Sequence, residues 1–302
     1  MQGTGVVYAD EYEELEIINY ICETKQEIRE EYCEDELKEM VEEKAIELGI
    51  SNEDIVSGYN PGLPVASFDE YNSNSRAIIG ADLQMEVNPT RYPYSAVLLL
   101  RTGQDSDGDG DIDIWARSTA FLEGYDVVVT AGHNVWWPEE NYGWSEDIRM
   151  YVNQDSFALG QYHTAYSWAV PSGFINNQTD SLDWCVMVSN EDLGSDNGWF
   201  SKALMGNLTG TSIRVSGYPT TSGKYGHQYM DYGTILSDSG GLITYNADTE
   251  GGQSGSPVFD SNYIVWGIHC GDDITANYGV KMSNTLLNFI NNKYLEGLEK
   301  WG

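Results

Sequence analysis

From Ala96 to His269 the chain is written as short β-type runs rather than long periodic segments, and this constrains its fold more than anything else. The runs are Ala96–Arg101, Tyr125–Thr130, Asp147–Val152, Trp184–Val188, Ser212–Ser216, Gly233–Leu236, Leu242–Tyr245 and Tyr263–His269, separated by Gly, Asn, Asp and Pro. Strands of this length with turn residues between them predict an all-β barrel or sandwich. Ser283 then reads as a helix N-cap, with Leu286, Leu287, Phe289, Ile290, Tyr294, Leu295 and Leu298 following at helical spacing.

The text before this domain differs. Residues 10–48 set Leu15, Ile17, Ile18, Ile21, Ile28, Leu37, Met40, Val41, Ile46 and Leu48 among Glu and Lys, without Gly or Pro until Gly49, and predict helix. Residues 51–76 are rich in Ser, Asn, Gly and Pro and predict a linker. The expected order is an acidic helical segment, a linker, a β domain and a closing helix.

Charge narrows the functions available. Lys and Arg number 15 against 48 Asp and Glu, a formal −33, so nucleic-acid phosphates and anionic membranes are repelled. The longest apolar run, Ala96 to Leu100, is far too short to span a bilayer. Four cysteines do not make a disulfide scaffold at this length, and none pairs at CxxC spacing.

Two passages carry chemistry. Val127-Val128-Val129-Thr130-Ala131-Gly132-His133 is a β run ending in small residues and a histidine. Gly251-Gly252-Gln253-Ser254-Gly255-Ser256-Pro257 holds a serine between glycines. A serine hydroxyl is a weak nucleophile that needs a neighbouring base, and histidine can take and return its proton near neutral pH. Gly252 lets backbone approach closely, so that the N–H groups of Gly252 and Ser254 can face one developing oxyanion. A carboxylate must hold the imidazole in its useful tautomer. Asp183, opening the Trp184–Val188 run, is the candidate; Asp180, farther from the strand, is the competitor. A G-x-S-x-G elbow and HExxH are both absent, which excludes α/β-hydrolase and zincin readings.

Thr130-Ala131-Gly132-His133 and Gly252-Gln253-Ser254-Gly255-Ser256-Pro257 resemble the two signature motifs of the chymotrypsin-like serine peptidases. More narrowly, Ala77-Ile78-Ile79-Gly80-Ala81-Asp82 is similar to the mature N-terminus of the bacterial glutamyl endopeptidase group. Arg91 to Val97 is similar to its first strand and Trp266-Gly267-Ile268-His269 to the strand lining its specificity pocket. The resemblance covers about residues 77–302. Asn134 stands where a cysteine often follows the histidine, which sets the family's disulfides aside but not its chemistry.

The resemblance implies a trypsin-like double β-barrel with a C-terminal helix over 77–302, and a helical acidic propeptide with its linker over 1–76, released by cleavage after Arg76. It implies a serine endopeptidase acting on proteins or peptides after Glu through His133, Asp183 and Ser254. Thr249, His269 and the freed α-amine of Ala77 would read the Glu side chain. It further implies a monomer that needs no cofactor for catalysis and an activating protease that cuts near Arg76. Residues 1–20 lack the basic start and apolar stretch of a signal peptide, so secretion is expected of a form whose signal has been removed. Glu250, beside Thr249, would oppose an acidic substrate if it pointed inward.

Asp105-Ser106-Asp107-Gly108-Asp109-Gly110-Asp111-Ile112-Asp113 alternates carboxylates, as an EF-hand-type loop does, but has Ala116 at the twelfth position and β text on both sides. A structural Ca²⁺ on Asp105, Asp107, Asp109, Asp111 and Asp113 is expected. Two rival functions remain: a catalytically silent binding protein of the same fold, and a secreted calcium-dependent adhesion module. The first is disfavoured because no triad position is replaced; the second leaves both motifs unexplained.

Overall fold

A computed structural model describes residues 15–66, 83–138, 142–272 and 276–302. In chain order come β1 (Leu15–Ile21), β2 (Gln26–Tyr32), α1 (Glu34–Leu48), α2 (Asn52–Val56), β3 (Met85–Glu86), β4 (Val97–Gln104), β5 (Ile114–Leu122) and β6 (Val127–Thr130). Next are β7 (Trp136–Trp137), β8 (Gly143–Trp144), β9 (Asp147–Tyr151), β10 (His163–Pro171), α3 (Ser172–Asn177), β11 (Cys185–Ser189), α4 (Gly194–Asn197) and β12 (Ser201–Lys202). The remainder is β13 (Ser212–Gly217), β14 (Tyr229–Ser239), β15 (Leu242–Tyr245), β16 (Pro257–Phe259), β17 (Ile264–Asp272), β18 (Asn277–Lys281) and α5 (Asn284–Trp301).

The strands close into two antiparallel barrels. The first runs β11-β6-β5-β4-β9-β10 and returns to β11; the second runs β17-β16-β13-β14-β15-β18 and returns to β17. Closure leaves the ring strands little free edge beyond the part of β10 that β9 does not reach, and side chains pointing inward fill each barrel. Leu98, Leu100, Phe121, Val128, Met150 and Met187 are buried in the first. The second has its own cluster around Ile213, Val215, Ile243, Tyr245, Val258 and Trp266. Helix α5 starts on Ser283, whose hydroxyl accepts from the Leu286 N–H at 3.2 Å, and lays Leu286, Phe289, Ile290 and Leu295 on the first barrel's core. The expected trypsin-like double barrel with its closing helix is the fold found.

The acidic N-terminal segment departs from the expectation of helix. Leu15–Ile21 and Gln26–Tyr32 form a hairpin, and only Glu34–Leu48 is a long helix. Glu and Lys favour helix, but strand propensity depends on the neighbours available, and here β10 supplies them. β10 pairs β9 through His163 and Thr164, and where β9 leaves, β1 takes over that edge from Ser167 to Pro171. Ile17 and Ile18 are buried there. The helix boundaries are local: the Cys33 thiol accepts from the Glu36 N–H while the Glu36 carboxylate accepts from the Cys33 N–H, each at 3.3 Å, and Gly49 closes the helix at φ +70°. Cys22 and Cys33 thus lie in a turn and on a helix cap, not along one helix.

The described part of the stretch predicted as linker, residues 51–66, is bonded to the domain that follows. Gly58 N–H donates to Ser201 Oγ at 2.8 Å, Tyr59 and Trp199 exchange backbone bonds at 3.0 Å each, and Ala66 N–H reaches the Tyr92 carbonyl at 2.9 Å. Arg76 and Ala77 lie outside the described residues. Among the described residues no helix is long and apolar enough to cross a membrane.

Candidate active site

The site lies where the barrels meet. β6 runs Val127-Val128-Val129-Thr130, buried throughout, and breaks at Ala131-Gly132 into a single turn carrying His133. Asp183 follows the Asp180–Leu182 turn and precedes β11, which pairs with β6. That pairing sets the carboxylate against the histidine. Asp183 Oδ2 is 2.7 Å from His133 Nδ1, and Asp183 Oδ1 accepts the His133 backbone N–H at 2.8 Å. Burial draws the imidazole pKa down, but the charge and hydrogen bond of Asp183 more than offset it, leaving His133 raised. Of the two aspartates weighed in the sequence, Asp183 is the one bonded to the histidine.

Ser254 comes from the second barrel, on the tight turn between β15 and β16. Gly252 sits at φ +97° and Gly255 at φ +87°. A Cβ on Gly252 would lie 2.6 Å from the Tyr218 carbonyl oxygen, and one on Gly255 would collide with the Thr119 carbonyl and the Thr130 hydroxyl. Glycine is required at both for conformation and for space. Among the described residues the Gly252 and Ser254 N–H groups have no acceptor, as oxyanion donors would require.

The join is made by residues that the motifs alone do not single out. The Thr119 N–H donates to the Ser254 carbonyl at 2.9 Å, its Oγ1 donates to the Gly252 carbonyl at 3.0 Å, and that oxygen accepts from the Tyr218 N–H at 2.9 Å. Asn134 Nδ2 donates to the Ser254 carbonyl at 3.0 Å and to Thr130 Oγ1 at 2.8 Å. Asn134, adjacent to the histidine, therefore holds the backbone of Ser254. The Ser254 hydroxyl donates to the Cys270 carbonyl at 3.3 Å and makes no hydrogen bond to His133. All four cysteines are free thiols, Cys185 and Cys270 included.

His269, on β17, is 2% exposed, and its Nδ1 is 2.6 Å from Tyr245 Oη. Burial, helped by the nearby His133, pushes its pKa down to about 3, so the ring is neutral at ordinary pH. Thr249 is half-buried on the loop leading to Gly252. Glu250 is turned to Lys224 at 2.5 Å and to the Thr221 hydroxyl. The like charge that the sequence placed beside the pocket is thereby paired. On the same loop, Gln84 Nε2 reaches the Asp248 carbonyl at 3.2 Å and Gln253 Oε1 at 2.7 Å.

Of the five aspartates expected at a cation, Asp105, Asp107 and Asp109 bring ligand atoms within 4.8 Å of one another. Asp111 and Asp113 are outside that group; Asp113 accepts from Ser106 N–H and Oγ at 3.0 and 2.8 Å. The Gly110 and Gly108 amides bond Asp105 at 2.8 and 2.7 Å, and these backbone bonds, Gly110 first, lower its pKa.

No family model matches the sequence. The extracellular metalloprotease of Bacillus subtilis (strain 168) is 28% identical over 223 residues, 71% of this chain and 68% of that protein. The glutamyl endopeptidase of Bacillus licheniformis is 28% identical over 190 residues, covering 62% of this chain and 56% of that protein. A solved Glu endopeptidase in complex with MPD has a TM-score of 0.62 at 27% identity, over 72% of this chain and 98% of its own. Protease Anisep from Arthrobacter nicotinovorans shares the fold, with a TM-score of 0.56 at 17% identity over 71% of this chain and 100% of its own. Barrels, site and relatives together define a chymotrypsin-like serine endopeptidase. Within that class the chain is similar to glutamyl endopeptidases.

Proposed function

We propose that the chain is the secreted precursor of an endopeptidase that cuts after Glu through an acyl-enzyme on Ser254. The observation that carries this reading is the His133–Asp183 pair beside a glycine-flanked serine with two unpaired N–H groups. Asp183 occupies His133 Nδ1, leaving Nε2 as the base. Rotation about the Ser254 side chain takes its hydroxyl from the Cys270 carbonyl to that nitrogen. Ser254 Oγ then attacks the scissile carbonyl as its proton passes to His133, and the Gly252 and Ser254 amides hold the oxyanion. Collapse breaks the C–N bond and His133 gives its proton to the leaving amine. Water repeats the sequence, releasing the acid and restoring Ser254.

In this reading residues 1–76 are the prosegment and 77–302 the peptidase domain. Cleavage after Arg76 frees the Ala77 amine. From Leu83, which reaches Asp248 at 3.5 Å, six residues of extended chain span about 20 Å, enough to bring that amine to the specificity loop. The amine, Thr249 and neutral His269 then meet the substrate carboxylate, which would be strongly disfavoured if buried unpaired. Pairing of Glu250 with Lys224 supports this by removing the opposing charge. Secretion accords with the extracellular B. subtilis relative, and the protein acts as a monomer. Asp105, Asp107 and Asp109 are assigned a structural Ca²⁺, as a compact set of hard oxygen donors.

A fluorophosphonate probe applied before and after trypsin treatment tests the reading. Labelling of Ser254 should rise once mass spectrometry shows a new terminus at Ala77, and peptide libraries should be cut after Glu. Absence of label in both forms, or a profile dominated by Arg and Lys or by large apolar residues, would sink it.

A further inference from the structure

We infer that residues 15–66 are not discarded on activation but remain docked as the light chain of a two-chain enzyme. This builds on the processing step proposed above and alters its product. Interfaces that persist are larger and more apolar than transient ones. This one is built into the fold at three places.

β1 is a strand of the first barrel's wall, paired with β10 in continuous register from Ile17↔Pro171 to Ile21↔Ser167 and continued by Cys22 N–H to the Tyr166 carbonyl at 3.1 Å. Its removal would leave the Ser167–Pro171 edge of β10 open, an invitation to pairing with other chains. α1 lies along α5: Leu37, Val41 and Ala45, spaced four apart, are buried in the same core cluster as Phe289 and Leu295. Lys44 pairs with Glu299 at 3.4 Å and Asn284 Nδ2 donates to Glu34 at 2.7 Å, so the helices are also matched at their polar margins. Residues 57–66 cross to the inter-barrel region, where Trp199 Nε1 donates to the Ser57 carbonyl at 3.1 Å and the Tyr59 ring lies 4.6 Å from that of Trp199. Releasing the segment would bare the partner apolar face on β10, α5 and Trp199 in one step, a patch that soluble single chains rarely expose.

The hairpin also reaches the loop that follows the catalytic histidine. Trp144 Nε1 donates to Glu27 at 2.7 Å, Lys25 pairs with Glu146 at 2.8 Å, and Tyr20 stacks on Trp144, centroids 5.4 Å apart. Trp144 in turn meets Trp136 edge-on at 5.0 Å, three residues beyond His133. The light chain is thus a brace for this side of the site as well as a wall of the barrel. None of these contacts involves Ser254, His133, Asp183 or His269, so retention is compatible with an open site.

The experiment uses the full chain with a site-specific protease recognition sequence placed within residues 67–76, so that the cut does not depend on the natural activator. After cleavage, denaturing mass spectrometry establishes two pieces, and gel filtration with native mass spectrometry reads their association. The expected result is one-to-one co-elution at micromolar concentration, with separation only in denaturant. Elution of the light chain apart from a soluble, folded heavy chain would overturn the inference, as would its proteolysis without loss of heavy-chain solubility. Leu37→Asp, introduced in the same chain, should cause light-chain loss after cutting. If that variant fails to fold, Lys44→Ala with Asn284→Ala, which trims only the polar margin, should instead shorten the complex's lifetime. Co-elution is read without reference to activity, so a chain that stays together but never labels with fluorophosphonate would refute the proposed function while leaving the two-chain inference standing.

Discussion

The two barrels contribute unequal halves of one site. The first presents His133 and Asp183 already bonded at 2.7 Å, because both flank strands that pair with each other. The second presents Ser254 with its hydroxyl turned to its own barrel, on the Cys270 carbonyl. A base and its orienter built into one sheet are positioned by that sheet alone. A nucleophile on the opposite barrel depends on the joint between them, and on what occupies the pocket beside it.

The largest expected effect breaks the comparison at its centre. Ser254→Ala and His133→Ala should each lower kcat/KM by about 10⁴-fold or more, and Asp183→Asn by on the order of 10⁴-fold, with Tm little changed. Because Asp183 raises the His133 pKa and the base must be neutral, activity should climb with pH through an acidic limb above the ordinary imidazole value of about 6.5. A pH–rate profile whose limb lies below that value would remove the coupling.

The joint itself is next. Glu123, at the end of β5, and Lys202, on β12, form an ion pair at 3.3 Å with both side chains 0% exposed. Burial raises the carboxyl and lowers the ammonium, and each partner's charge opposes that shift in the other. Lys202→Met alone should cost about 3–5 kcal/mol by leaving a buried charge, and adding Glu123→Leu should restore much of it. Chemical denaturation of the single and double variants checks this; an additive double variant would mean that the pair does not link the barrels.

A smaller effect sharpens the second barrel's role. Tyr245→Phe removes the partner 2.6 Å from His269 and should reduce kcat/KM on Glu substrates about tenfold, with little change for a neutral residue there. His269 is neutral when folded, with a pKa near 3, and titrates near 6.5 when unfolded, so the unfolded state takes up the extra proton. Its stabilising effect is whole above about pH 6.5 and declines as pH falls towards 3. Urea midpoints should show a shallower acid slope in His269→Gln. The smallest expected effect is at the acidic loop, where millimolar Ca²⁺ should raise Tm by a few degrees and Asp107→Asn should blunt it; a Tm unmoved by Ca²⁺ and chelator would delete that site.

Much of this was legible because some chemistry demands particular residues in sequence. Gly252 and Gly255 must be glycine for the Ser254 turn to form, and β6 must end in small residues for His133 to reach Asp183. β5 and β10 were not legible: IWARSTAFL and HTAYSWAVP mix small, polar and aromatic residues without clean alternation, since each meets different neighbours along its length. Leu15–Ile21 reads as helix from sequence because its Glu-rich flanks outweigh its β-branched centre until β10 is there to pair with it. Tyr245, Asn134 and Thr119 carried no signal, because their importance lies in partners 24 to 133 residues away.

Residue identity by itself made legible the β architecture, the closing helix and the His133 and Ser254 candidates, since turns, caps and glycine-flanked serines obey short-range rules that a chain states locally. Which aspartate meets His133, where Glu250 spends its charge and how the acidic N-terminal segment joins a barrel were decided only in three dimensions. Each depends on the pairing of distant strands, and pairing energy is a property of two surfaces together.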